Sequence, residues 1–356
     1  MHYDKNMTVD EKISETDASF HDIRNYPFKI YGLYNPTIED TYKRLPDDVA
    51  RATSEGVATL YLHTAGGRVR FATDSPYIAI KATYEVVARS PKMPMTNSDG
   101  FDLYEDIQND ASVYRGTFIP PVTMEKGYES LVKIKGETKL RYFTLNLPSY
   151  SHPSMIEIGI KDGSLLCEGL KYKNKKPVVF YGSSITQGAC ASRPGNIYQN
   201  ILSQRLNIDY INLGFSGNAR GEDAIVDYMS GLDFSVFVSD YDHNARTAEH
   251  LTKTHCKMYK RIRSANPNAP YVIMSRPDFA RDVENAIECR NVILDTYNYA
   301  KANGDPNVYF IDGELFFKGK YEPGCTVDRT HPSDLGFTLM ADRIEECLKE
   351  IMEKIQ

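Results

Sequence analysis

Along the first half of the chain, apolar and polar residues alternate in twos. Val69, Phe71 and Thr73 share one face of an extended segment, with Arg68 and Arg70 on the other. A turn at Asp74-Ser75-Pro76 follows, and residues 77–84 (YIAIKATY) read as the returning strand. Residues 142–147, stopped by Pro148, and 155–160 repeat the pattern. Short β-rich runs punctuated by Gly, Pro and Asp predict an antiparallel, jelly-roll-like sandwich over residues 1–170. The basic stretch Lys171-Tyr172-Lys173-Asn174-Lys175-Lys176-Pro177 breaks this rhythm and marks a linker at 171–177. Over 178–356 the pattern changes to short apolar runs, at 178–181, 210–213, 236–238, 271–274 and 308–311, separated by longer amphipathic stretches such as 246–265 and 279–302. Behind a candidate N-cap at Ser333, Phe337, Met340, Ile344, Cys347, Leu348 and Ile351 recur at helical spacing. Such alternation predicts an α/β domain with five parallel strands and helices on both faces. Ligands in these folds bind at the carboxyl ends of the strands.

Composition narrows the class of function. The 356 residues are 41% hydrophobic and 25% charged, enough apolar material for two cores. Forty-two basic against 48 acidic side chains give a formal charge of -6, which supplies no electrostatic footprint for nucleic acid or an anionic membrane. Trp is absent and Tyr numbers 25, so aromatic contacts to a ligand fall to Tyr or Phe. The six cysteines, Cys167, Cys190, Cys256, Cys289, Cys325 and Cys347, show no CxxC pair and read as free thiols of a reducing compartment. The polar start MHYDKNMTVDEKISETDASF lacks the apolar core of a secretory signal, and no segment has the apolar length of a membrane span. A cytoplasmic protein is the expectation.

Chemistry gathers at the expected strand ends. After the first apolar run comes Gly182-Ser183-Ser184-Ile185-Thr186-Gln187-Gly188, a turn that holds a serine clear of the sheet beside unpaired helix N–H groups. After the second comes Gly214-Phe215-Ser216-Gly217-Asn218, where the Gly214 N–H is a candidate oxyanion donor. After the third comes Ser239-Asp240-Tyr241-Asp242-His243-Asn244-Ala245, where Asn244 offers a side-chain amide. Asp240, Asp242 and His243 are the alternative ligands of a metal phosphoesterase, although no further ligand set accompanies them. Near the C-terminus, Asp328-Arg329-Thr330-His331-Pro332 places a carboxylate three residues before a histidine, the spacing of an oriented general base.

In chain order these four segments resemble the SGNH, or GDSL-like, hydrolase superfamily over about residues 178–352. The resemblance implies a flavodoxin-like three-layer fold and a serine esterase. Ser184 would be the nucleophile, His331 the base and Asp328 its orienting partner, with the Ser184 and Gly214 N–H groups and the Asn244 amide as oxyanion hole. No cofactor or metal is implied. Two positions depart from the family pattern: Ser183 stands where Asp is usual before the nucleophile, and Ala245 follows Asn244 in place of Asp. The segment YGSSITQGACASRPG and the motif Gly100-Phe101-Asp102-Leu103-Tyr104 are similar to a two-domain branch with an N-terminal GxDLY β-sandwich. Asp102 and Tyr104 themselves read as a turn that fixes two strands.

The branch's association with sugar deacetylation points to small acyl, chiefly acetyl, esters on a carbohydrate. A catalytically silent glycan-binding protein of the same fold is the alternative outside enzymes. Arg193, Asp242 and His243 are candidate substrate contacts. The expected partner is a small-molecule or oligosaccharide ester, with no nucleic acid or membrane and with self-association left open.

Overall fold

A computed structural model describes residues 8–108, 110–245 and 247–355, the last without its side chain. Ten strands fall in the N-terminal half: β1 (Ala18–Asp22), β2 (Lys29–Tyr31), β3 (Arg68–Thr73), β4 (Tyr77–Val86), β5 (Phe101–Asp106), β6 (Val113–Phe118), β7 (Gly127–Lys133), β8 (Arg141–Asn146), β9 (His152–Lys161) and β10 (Leu166–Glu168). They form two antiparallel sheets, ordered β1-β9-β4-β7 and β10-β3-β8-β5-β6, with β2 added against β3. The turn at Asp74-Ser75-Pro76 therefore does not close a hairpin. It carries the chain from one sheet to the other, because β4 finds its partners in β7 and β9.

The alternation in β3 has the expected two faces. Val69 and Phe71 enter the sandwich core with Ile78, Ile80, Leu103 and Phe143. Arg68 and Arg70 face away from it, yet only 1% and 4% of their surfaces are exposed. A second domain covers that face. Arg68 donates to Asp209 Oδ1 at 2.6 Å and to the Tyr210 carbonyl at 3.0 Å, and Arg70 donates to Asn207 Oδ1 at 3.0 Å. Tyr172, in the stretch joining the halves, lies under the Arg70 guanidinium at 3.6 Å.

The C-terminal half adds β11 (Val178–Gly182), β12 (Tyr210–Gly214), β13 (Val236–Asp240), β14 (Tyr271–Met274) and β15 (Val308–Ile311). These pair in parallel in the order β12-β11-β13-β14-β15. Alternate residues of each strand feed two cores. Val178, Phe180, Val236 and Val238 pack with Tyr198, Leu202, Phe337, Met340 and Ile344, from the helices Tyr198–Leu206 and Asp334–Ile355. Val179, Tyr181, Phe237 and Ile273 pack on the opposite face with Met229, Leu251, Ile262 and Ile293. These come from the helices Asp223–Ser230, Ala248–Ala265 and Val283–Ala302. The latter core also takes in Leu45, Ala50, Val57 and Tyr61 from the N-terminal half, so the two halves share buried apolar surface.

The helical stretches expected from 246 and 279 begin a little later. Thr247 caps the first by accepting from the His250 N–H, and position 246 lies outside the described residues. A short 3-10 turn, Phe279–Arg281, precedes the second. Among the described residues no helix is long and apolar enough to cross a membrane. The six cysteines are free thiols.

Candidate active site

The sheet order reverses at β11, whose neighbours β12 and β13 leave in opposite directions, and such a switch point opens a crevice at the strand ends. Ser183 ends β11 in extended geometry and its hydroxyl caps the following turn by accepting from the Ile185 N–H at 3.1 Å. Gly188, at φ 103°, closes that turn in the left-handed region. Ser184 opens the turn, with 4% of its surface exposed. Its Oγ lies 3.0 Å from His331 Nε2.

His331 Nδ1 lies 3.0 and 3.1 Å from the two carboxylate oxygens of Asp328. The loop that joins them doubles back on itself. Arg329 sits at φ +66°, and the Val327 N–H donates to the His331 carbonyl at 2.9 Å. Asp328 Oδ1 also accepts from the backbone N–H groups of Thr330 and His331. Burial raises the pKa of the Asp328 carboxyl. The His331 N–H, the Lys92 ammonium and the His331 ring outweigh it and hold the carboxyl well below the usual carboxylate range.

The oxyanion candidates divide. Asn244 arrives from the loop after β13, only 7% exposed, and its Nδ2 donates to the Phe215 carbonyl at 3.0 Å. A carboxamide has two N–H donors, so one remains for the cleft. The Gly214 N–H is not available. It donates to Asn212 Oδ1 at 2.9 Å, and a Cβ on Gly214 would run into the Thr186–Gln187 backbone. Gly214 is glycine because the Ser184 turn packs directly on the end of β12. Gly217, three residues on, lines the cleft at φ +71°, and its N–H makes no hydrogen bond among the described residues. Ser216-Gly217-Asn218 reads as a turn in the sequence, but a turn signature alone does not choose between the two glycines.

The three expected substrate contacts also separate. His243 lines the cleft, a space of about 540 Å³ that it shares with Arg276, Arg281 and Asp282. Asp242 lies beneath, fully buried, with its Oδ2 accepting from the Arg276 N–H at 3.1 Å. Arg193 faces the sandwich. It donates to Asp102 Oδ2 at 2.8 Å and to the Tyr104 hydroxyl, and its guanidinium lies 4.0 Å from the Tyr114 ring centre. Asp102 Oδ2 further accepts from the Gly195 N–H at 2.8 Å, and its Oδ1 from Asn146 at 2.8 Å. The motif around Asp102 and Tyr104 is thus not a turn. It is strand β5, whose side chains grip the loop behind the nucleophile. Of the metal-site candidates, Asp240 Oδ2 accepts from Thr186 at 3.3 Å and Asp242 meets Arg276. Among the described residues no three ligand-type side chains converge on a metal position.

Several residues of the site had no signal in the sequence. Asn212 clamps the Ser184 turn by donating to the Thr186 carbonyl at 2.7 Å. Gln187 accepts from the Ser216 N–H at 3.0 Å and donates to the Ser149 carbonyl at 3.2 Å, and its Nε2 lies 3.1 Å from His63 Nδ1. The Tyr150 hydroxyl donates to the Ser184 carbonyl at 3.3 Å. Lys92, Tyr150 and His63 come from the N-terminal half, far away in sequence.

Residues 175–349 match the model of the GDSL-like lipase/acylhydrolase family, and residues 18–166 match that of the GxDLY N-terminus of SGNH-hydrolase-type esterases. No curated protein matches the chain. Among solved structures, a protein assigned as a GDSL-like lipase from Bacteroides ovatus ATCC 8483 is 25% identical, with a TM-score of 0.84 over 94% of this chain and 98% of that one. A salicylyl-acyltransferase of a tetracycline biosynthetic pathway is 17% identical, with a TM-score of 0.76 and the same coverage, 94% and 98%. A family two carbohydrate esterase from Clostridium thermocellum, in complex with cellohexaose, is 14% identical, with a TM-score of 0.61 over 81% and 93%. The last two likenesses show a shared fold. The chain belongs to the GDSL-like, or SGNH, hydrolases, in the two-domain branch with the GxDLY domain in front. It is an esterase.

Proposed function

We propose that this esterase hydrolyses small acyl esters, chiefly acetyl, on a polar alcohol such as a carbohydrate, through an acyl-enzyme on Ser184. One observation carries the mechanism: Ser184 Oγ, His331 Nε2 and the Asp328 carboxylate form an unbroken chain of contacts at 3.0 Å each. His331 Nε2 takes the hydroxyl proton as Oγ attacks the ester carbonyl, and Asp328 holds the ring through Nδ1–H. The oxyanion accepts from the Ser184 N–H, the Gly217 N–H and the second Asn244 N–H, with Gly217 in the role expected of Gly214. Collapse expels the alcohol, which receives the proton from His331. Water then attacks the acyl-enzyme by the same route in reverse.

The carbohydrate reading takes its support from the cleft. Its wall beyond the reacting groups is His243, Arg276, Arg281 and Asp282, hydrogen-bonding side chains suited to hydroxyls and poorly suited to a long alkyl chain. The shared fold with carbohydrate esterases agrees with that chemistry.

The test is turnover of p-nitrophenyl acetate and of acetylated sugars, against acyl esters of rising chain length. Ser184→Ala should lower kcat by about a thousandfold or more and abolish labelling by a fluorophosphonate. Asn244→Ala should cost about a hundredfold in kcat with KM little changed. Equal rates for Ser184→Ala and the native enzyme would remove the nucleophile assignment. A preference for long acyl chains over acetyl sugars would remove the substrate class.

A further inference from the structure

The catalytic groups all sit on the α/β domain, but one charge that touches them does not. Lys92 Nζ, on the loop between β4 and β5, lies 2.6 Å from Asp328 Oδ2. This is the carboxylate oxygen that faces His331 Nδ1 at 3.0 Å. Lys92, Asp328 and His331 therefore form a continuous row across the domain boundary.

The loop that presents Lys92 is tied down on both sides. The Ala88 N–H donates to Ser151 Oγ at 2.9 Å, and Arg89 donates to Asp99 Oδ2 at 2.8 Å and to the Met124 carbonyl at 2.7 Å. Ala88 and Met93 pack on the small cluster of Tyr150, Ala189 and Cys190 beside the nucleophile turn. Beyond it, Thr96 donates to the Ser192 carbonyl at 2.5 Å and Asn97 to the Gly188 carbonyl at 2.9 Å. Lys92 is thus held over Asp328 by contacts to both domains. Its side chain is 56% exposed, and an ion pair that open adds little to stability. Its consequence lies in the charge it sets beside the dyad.

We infer that Lys92 is a positioning residue supplied by the sandwich domain, which fixes the Asp328 carboxylate against His331 and sets the acid limb of the enzyme's pH profile. The inference rests on the Ser184–His331–Asp328 reading above. Asp328 favours the protonated imidazolium, which cannot accept the serine proton. A cation on the far side of the carboxylate offsets that pull. The other groups around the pair are Ser184, with His243, Arg276, Arg281 and Asp282 across the cleft, and Asp278, Glu314, Lys318 and Glu322 around the second pocket that Asp328 lines. The Cys190 thiol lies by Asp328, and Arg329 stands beside it in the chain. The Lys92 ammonium is hydrogen-bonded to Asp328 and, among the described residues, to none of these groups, so a variant is aimed at the one charge.

The measurement is kcat/KM of the full chain against pH for native enzyme, Lys92→Arg, Lys92→Met and Lys92→Glu, with Ser184→Ala as control. The acid limb should stay near the native position in Lys92→Arg. It should move up by about half a pH unit in Lys92→Met, and further in Lys92→Glu, since the pair is partly exposed to solvent. The gap between native and Lys92→Met should close as ionic strength rises. Thermal melting should be alike in all four, so an altered limb reports charge and not folding. An unmoved limb in both Lys92→Met and Lys92→Glu, with Ser184→Ala inactive, overturns the role of Lys92 and leaves the triad standing. A fully active Ser184→Ala overturns the triad itself, and this inference with it.

Discussion

From the sandwich side three buried arginines, Arg44, Arg68 and Arg70, reach across the domain boundary; beneath the cleft, on the other side, two buried carboxylates, Asp240 and Asp242, lie beside each other with Arg276 on Asp242. Arg44 is the extreme case, with 1% of its surface exposed and, among the described residues, no carboxylate within ion-pair distance. It donates to the carbonyls of His63 at 2.8 Å, Leu60 at 2.7 Å, Asn212 at 3.1 Å and Gly214 at 2.7 Å. Burial pulls its pKa down to about 9. Opposite it, Asp240 is buried beside Asp242, and burial first, then that neighbour, pushes its pKa well up. The difference teaches what each domain does for the site. The sandwich sends Arg44 onto the carbonyls of Asn212 and Gly214 at the end of β12. The α/β domain keeps its acids under the cleft, where Arg276 ties down Asp242 and the Thr186 hydroxyl donates to Asp240. Neither domain satisfies its own buried polar groups alone, so they form one catalytic unit.

Breaking the cationic side hardest is Arg44→Met. It strips donors from four buried carbonyls and should cost about 3–5 kcal/mol in denaturant unfolding, with loss of esterase activity before global unfolding. A smaller effect is expected from Arg193→Ala, which leaves the fully buried Asp102 without its cation. We expect about 3 kcal/mol of lost stability, with KM for a small acetyl ester unchanged, because Arg193 does not reach the cleft. A large KM change without destabilisation would return Arg193 to the substrate.

The comparison sharpens under acid. His63, in the boundary network, is pulled from 6.5 to about 3 by burial and then by Arg44; His255, inside the α/β core, is pulled to about 4 by burial alone. Both are neutral when folded and take a proton when unfolded. Their contribution is full above about pH 6.5 and is lost as pH falls toward the folded values. Each should lower stability by about 1.4 kcal/mol per pH unit in that window. His63→Gln, which keeps a hydrogen-bonding group toward Gln187, should remove its share of the slope and leave that of His255. An unchanged slope between pH 6 and 5 would count against the buried, neutral state of His63. Smallest of all is Gly217→Ala. A Cβ there meets nothing within 4 Å, so only the positive φ is at stake, about 1 kcal/mol in thermal unfolding. A larger loss would mean that the turn is more crowded than its open side suggests.

The strand runs, the change of period near residue 171 and the order of Ser184, Asn244 and the Asp328/His331 pair were legible because they follow from local rules. A buried parallel strand is an apolar run, a catalytic turn needs small and capping residues, and a three-residue step can fold a carboxylate against its own histidine. Asp74-Ser75-Pro76 was legible as a turn but not as a crossing between sheets, since strand pairing is set by partners distant in sequence. Gly214 and Gly217 could not be told apart by position alone. The choice is made by which N–H the Asn212 side chain takes. Lys92, Arg44, Tyr150 and the true partner of Asp102 were silent, because a residue that acts across a domain boundary leaves no periodicity behind it. The sequence by itself determined the class of fold and the order in which the candidate site residues follow its strands. Only the tertiary structure decided how one domain's charges complete the other's site, because those contacts exist only once both are folded and packed.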